Sequence, residues 1–99
     1  MTAAQVTDFF LALCERADNN VTIAVDALAA GEALGIHAPT VFAHVNELQV
    51  RGWIEAAPAH ALGGLHIRLT AVGASRSVSE RMRRSRRSGR NAADGKGRQ

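Results

Sequence analysis

The sequence predicts a mainly α domain with a small antiparallel β pair, class α+β, in the order helix, helix, helix, hairpin, helix. Three observations carry this prediction. Between Val6 and Leu48, apolar residues recur at helical spacing in three separate stretches. After Gly52 the pattern changes to alternation on either side of Gly63-Gly64, a hairpin composition. From Thr70 onward helical spacing resumes, and arginine gradually replaces the apolar residues.

From about Ala3 to Ala17, the residues Val6, Phe9, Phe10, Leu13, Cys14 and Ala17 fall on one helical face. Asp18-Asn19-Asn20 closes that helix with turn formers. Both phenylalanines are assigned to the core, a dimer contact being the alternative for one of them. Val21-Thr22-Ile23-Ala24-Val25 is short and β-branched, a candidate first strand or extended lead-in. Asp26 is placed to cap a second helix whose small-residue face, Ala27, Leu28, Ala30, Gly31 and Leu34, ends at Gly35. Its alanines and Gly31 allow a neighbouring helix to come close. After the connection Ile36-His37-Ala38, Pro39 is expected at the first position of a third helix, where its missing N–H costs nothing. Val41, His44, Val45 and Leu48 mark the inner face of that helix, and Gly52 stops it.

Ile54, Ala56 and Pro58 alternate with Glu55 and Ala57 as a half-buried strand, which Pro58 confines to an edge or to the strand's end. With Gly63-Gly64 central in the turn, Leu62 faces Leu65, Ala61 faces His66 and Ala59 faces Arg68. Leu65, Ile67 and Leu69 then point inward; His66, Arg68 and Thr70 point away. Thr70 is placed to cap a last helix beginning near Ala71, with Val72, Ser75, Val78, Ser79 and Met82 inside, and Ser77-x-x-Glu80 is a second candidate start. Beyond about Arg87 only two alanines interrupt the polar residues, and disorder is expected. Residues 1–80 thus read as one domain and 81–99 as an Arg-rich helix end with a basic tail.

Two stretches carry a family resemblance. Gly35-Ile36-x-x-x-Thr40-Val41-x-x-x-Val45-x-x-Leu48-x-x-x-Gly52-Trp53-Ile54 resembles the recognition-helix signature of winged helix regulators of the MarR type. Ile67-Arg68-Leu69-Thr70-x-x-Gly73 resembles the "LTxxG" that closes the wing in the same proteins. The resemblance spans residues 6 to 80 and implies a winged helix-turn-helix fold. In such a fold the helix over 39–51 enters the DNA major groove and the strands over 58–69 form the wing. It also implies a homodimer through residues 3–17 and 72–85. One position departs from the pattern: Ala30 stands where leucine is usual, four before Leu34.

Ninety-nine residues suit one small domain. No apolar run approaches the roughly 20 residues of a membrane helix. The first residues lack the basic-then-apolar order of a secretory signal, and the lone Cys14 allows no internal disulfide, so a cytoplasmic location is expected. The net charge of +3 is unevenly spread. Residues 1–75 hold three arginines against seven carboxylates, while residues 76–99 hold nine basic residues against two acids. The domain is therefore mildly acidic and the basicity lies at the end of the chain. That matters because phosphate neutralisation supplies most sequence-independent affinity for DNA.

Stepping about 100° per residue from an inward Val41 leaves Pro39, Ala43, Asn46 and Val50 outward, flanked by Thr40, Phe42, Glu47 and Gln49. Asn46 and Gln49 carry amides able to pair bidentately with adenine, and Phe42 and Ala43 suit thymine methyls. Glu47 repels phosphate unless it accepts from a cytosine amine. With His37 in the turn, Arg51 at the helix end, His66 and Arg68 on the wing, and Arg81, Arg83, Arg84, Arg86 and Arg87 beyond, these residues make the candidate double-stranded DNA-binding set. The alternative is a protein–protein adaptor that docks through Phe42, Ala43 and Val50, its tail a non-specific nucleic-acid-binding or solubilising extension. An RNA-binding tail is a third reading. Cys14, His37, His44, His60 and His66 show no metal-ligand spacing. His44 reads as structural and Cys14 as a small buried hydrophobe, with redox sensing the alternative. No metal, cofactor or catalytic group is expected.

Overall fold

Each of the first three helices ends where the backbone turns left-handed, at one glycine after the second and third and at Asp18 and Asn19 after the first. A computed structural model of the chain describes residues 2–57 and 65–96, with 86–96 in backbone only. The elements run α1 (Ala3–Arg16), β1 (Val25–Asp26), α2 (Ala27–Ala33), α3 (Ala38–Val50), β2 (Ile54–Ala56), β3 (His66–Leu69) and α4 (Ala71–Lys96). The result is a mainly helical α+β fold with a small antiparallel sheet ordered β1-β3-β2.

Helix ends follow from local chemistry. Thr2 and Gln5 form a capping box at the start of α1, and Asp26 accepts from the N–H groups of Leu28 and Ala29 at the start of α2. At the end of α2, Gly35 takes φ +73°. The N–H of Ile36 then reaches the Gly31 carbonyl at 2.9 Å and that of Gly35 reaches Glu32 at 2.9 Å, the paired bonds of a Schellman motif. The end of α3 repeats it around Gly52 (φ +78°), with Trp53 N–H on Leu48 at 3.1 Å and Gly52 N–H on Gln49 at 3.0 Å. α1 closes the same way without glycine, Asp18 taking φ 52° while the Asn19 N–H bonds Cys14 at 2.9 Å. Pro39 lies one place inside the expected start, because α3 begins at Ala38; it is still in the first turn, where its missing N–H leaves no intrahelical bond unmade.

The core is built where α1, α2 and α3 meet the sheet. Phe9, Phe10 and Leu13 of α1, Val41 and Leu48 of α3, and Ile67 and Leu69 of β3 are almost wholly shielded from solvent. Phe10 packs on Trp53 with ring centroids 5.0 Å apart, and Phe9 on His44 at 5.4 Å. Gly31 lets α2 lie against α3, since a Cβ there would collide with the Val41 side chain.

Three expectations about the sheet change. The candidate strand over 21–25 shrinks to Val25–Asp26, because the Asn20 carboxamide accepts from Thr22 and the Asn20 carbonyl from Ile23, turning the backbone before it can extend. The β2–β3 register differs by four residues from one centred on Gly63-Gly64: Ile54 pairs with Leu69, Glu55 with Arg68 and Ala56 with Ile67. The pairing is fixed at its base. Thr70 N–H bonds the Trp53 carbonyl at 3.0 Å, and Ile54 and Leu69 enter the core side by side. Ladder bonding continues to Ala57 N–H on the His66 carbonyl, and the next residue, Pro58, has no N–H to give. The turn expected at Gly63-Gly64, with Ala59, Ala61 and Leu62, lies outside the described residues. Ile54 is buried, but Ala56 is exposed, so the alternation expected of this strand stops after its first residue.

The last helix departs most from its sequence reading. Thr70 caps α4 as expected, accepting from Gly73 N–H at 3.0 Å. Its apolar stripe, however, faces out: Val72 is 60% exposed, Val78 49% and Met82 53%, and Ser75 and Ser79 are exposed with them. The face that packs carries Gly73 and Ser77 instead. A Cβ at Gly73 would strike the carbonyl oxygen of Trp53, so only glycine lets α4 lie on that backbone. Beyond Arg87, where the sequence reading expects disorder, the backbone of α4 runs on to Lys96. No proline interrupts this segment.

Candidate nucleic-acid interface

α3 divides its side chains cleanly. Val41, His44, Val45 and Leu48 are buried, and Pro39, Thr40, Phe42, Ala43, Asn46, Gln49 and Val50 are exposed. Burial of the apolar residues fixes the helix's rotation, and the rotation presents Asn46 and its neighbours to solvent. His37 occupies the N-cap position, exposed, without capping the helix through its side chain. Phe42 (52%) and Val50 (77%) are large apolar groups left open on this surface.

At the C-terminal end of α3, Arg51 pairs with Glu47 at 2.9 Å and lies over the Trp53 ring at 5.1 Å. The carboxylate expected to repel phosphate is thereby neutralised, and Arg51 is held rather than free. From the far side of the sequence Arg76 stacks on the same indole at 5.2 Å. Sequence reasoning left Arg76 out. Its spacing from Trp53 carries no signal in a linear pattern, and only the packing of Gly73 on the Trp53 carbonyl brings it there.

His66 and Arg68 do not project as expected. β3 is the central strand, so His66 lies opposite Asp26 and Arg68 opposite Glu55, and both are half-buried between neighbours. The Arg68 guanidinium stands 4.0 Å from the Glu55 carboxylate.

Arg81, Arg83 and Arg84 are exposed on α4, and Arg86 and Arg87 follow along the same helix. α4 runs antiparallel to α1: Asn19 donates to the Ala74 carbonyl at 3.3 Å near one end, and Arg84 pairs with Asp8 at 2.6 Å near the other. Arg83 lies 3.4 Å from Glu80. Beyond Arg84 the basic segment therefore passes the first turns of α1. Gln5, on those turns, lines one cleft with Gly35, Ile36, His37, Thr40 and His44. α1 thus lies between the basic run and the N-terminal end of α3, and the two come to the same end of the molecule.

The remaining candidates are quiet. Burial pushes the Cys14 thiol up, against the pull of the Ser77 hydroxyl and the Arg81 charge, so it stays protonated and inert at neutral pH. Among the described residues no three His, Cys, Asp or Glu side chains gather as a metal site, and no helix is long and apolar enough to cross a membrane. Comparison with known families, curated proteins and solved structures found no match to this chain.

Proposed function

We propose that this chain binds double-stranded DNA as a winged helix-turn-helix protein, a transcriptional regulator of the MarR-like kind, with α3 in the major groove. The observation that carries the reading is the split of α3: Val41, His44, Val45 and Leu48 are committed to the core, and Thr40, Asn46 and Gln49 stand free on its outer side. The asymmetry of charge supports it, since the basic run of α4 leaves the domain at the α1 end that borders His37 and Thr40. Asn46 and Gln49 read base edges, and the α4 arginines neutralise phosphates. Two copies pair through α1 and α4 (residues 3–17 and 72–85), where exposed Val78 and Met82 supply apolar surface. Sedimentation of the full chain tests the pairing.

The deciding experiment is a duplex-binding series at several salt concentrations. Asn46→Ala in the full chain is expected to cost about 1–3 kcal/mol on the preferred duplex and nothing on unrelated ones. Replacing Arg83, Arg84, Arg86 and Arg87 together by glutamine is expected to weaken all duplexes alike and to flatten the salt dependence. If neither set changes binding to any duplex, the reading is wrong. The exposed Phe42 and Val50 favour a second reading, a protein–protein adaptor docking through α3. In that case Phe42→Ser abolishes capture of the partner, and duplex binding at low salt is absent.

A further inference from the structure

Trp53 is clasped by two guanidiniums, and the two differ in what neutralises them. Arg51 lies over the ring from the end of α3 and is compensated by Glu47 at 2.9 Å. Arg76 lies over it from the second turn of α4, exposed, and has no carboxylate partner among the described residues. Both distances are measured to one centroid, so the two cations stand no farther apart than the sum of 5.1 and 5.2 Å. Beside Arg76 opens a groove of about 570 Å³ lined by Trp53, Ala71, Val72, Ser75, Arg76 and Ser79. Two hydroxyls one helical turn apart, a planar cation held by stacking and a shallow open mouth suit a tetrahedral oxyanion: the guanidinium supplies paired donors and the serines supply single ones.

We propose that Arg76, flanked by Ser75 and Ser79, is a phosphate seat that carries the interface past α3. Stacking on Trp53 fixes the guanidinium before binding, so little side-chain freedom is lost when a phosphate arrives. Arg51 and Arg76 then form a short cationic pair around Trp53 at the C-terminal end of α3, in which Arg76 holds the uncompensated charge. This assignment to a duplex phosphate rests on the DNA reading; the same seat also fits the phosphate of a free small molecule, and the test separates the two sources.

Trp53 is the chain's one tryptophan and lines this groove, so all tryptophan emission comes from a residue that the proposed seat touches. The full chain is titrated with duplex DNA and, separately, with inorganic phosphate against sodium chloride at equal ionic strength. Duplex is expected to change Trp53 emission, and Arg76→Gln is expected to remove that change and lower the log–log salt slope by about 0.9. Glu32→Gln changes an exposed charge on α2 by one, away from the proposed interfaces, and should leave both readouts alone. A response to inorganic phosphate but not to duplex, lost in Arg76→Gln, keeps the seat and assigns it to a free phosphate compound. If Asn46→Ala weakens duplex binding and Arg76→Gln leaves slope and emission unchanged, the seat is wrong and the DNA reading stands. An equal slope change in Glu32→Gln, or silence toward both ligands, also overturns it. Thermal unfolding of each variant shows that the fold is kept.

Discussion

α3 and α4 both carry an apolar stripe at helical spacing, yet one turns it to the core and the other to solvent. In α3 the stripe of Val41, Val45 and Leu48 meets Phe9, Phe10 and Leu13 across a filled interior, and burial of large side chains sets the rotation. In α4 Val72, Val78 and Met82 are roughly half exposed, while Gly73 and Ser77 sit inside. The difference lies in the space available. α4 lies directly against the backbone of Trp53, and nothing with a Cβ fits at Gly73. Close approach decides which face of α4 turns inward, and the apolar residues go where they are left. A stripe of three apolar side chains over eleven residues is too thin to override that.

The strongest way to break this comparison is to challenge each helix on the face claimed for it. Leu48→Ala empties a fully buried site in α3 and is expected to cost about 2–5 kcal/mol, read from urea unfolding. Gly73→Ala would gain helix propensity of about 1 kcal/mol on an open surface. Here its methyl meets a carbonyl oxygen that belongs to backbone, so a net loss of about 1–3 kcal/mol is expected. Val72→Ser and Met82→Ser should stay within about 0.5 kcal/mol in dilute protein. If the serine variants unfold the domain and Gly73→Ala does not, α4 packs on its stripe and the described rotation is wrong.

What could be read from the sequence follows the same division. The inner face of α3, the cap at Asp26, the glycine ends of α2 and α3 and the cap at Thr70 each rest on residues close together in the chain, and each is found in place. The outward exposure of Thr40, Asn46 and Gln49 follows from the first of these. What escaped depends on partners distant in sequence. The register of β2 on β3 is set by Thr70 reaching Gly52 and Trp53, not by the glycine pair that composition favours. The half-burial of His66 and Arg68 follows from β1 taking the other edge of β3, and a hairpin reading has no way to foresee a third strand. Arg76 reaches Trp53 only once α4 is laid down. Asp18, left-handed at the end of α1, shows that the Asp-Asn-Asn run held more than a generic turn signal.

A smaller effect tests the joint between the two helices. The Thr70 hydroxyl donates to the Gly52 carbonyl at 2.6 Å and accepts from Gly73 N–H at 3.0 Å, so one side chain ties the end of α3 to the start of α4. Thr70→Val keeps the shape and removes both bonds. The expected loss is about 1–2 kcal/mol, the ordinary worth of a lost helix cap. Thr70→Ser should recover most of it. A neutral valine variant would mean that the packing of Gly73 on Trp53 holds the joint unaided.

The weakest lever is protonation of His44, the one polar side chain on the inner face of α3. It is shielded from solvent beside Phe9, and desolvation holds its pKa below the ordinary value of 6.5. The sign follows from which state takes up the proton. Below about pH 6.5 the unfolded chain binds a proton at this ring that the folded chain declines, so stability falls as pH drops from there through the folded value. Above that range His44 contributes no pH dependence. Urea unfolding at pH 7.5, 6.5 and 5.5 should therefore show a declining midpoint, and His44→Gln should flatten the decline relative to the parent even though it lowers stability throughout. The α4 stripe, being already in water, predicts no matching dependence for Met82→Ser, whose pH curve should run parallel to the parent's. A parent curve as flat as that of His44→Gln would place His44 in contact with water and would loosen the inner face on which the rotation of α3 depends.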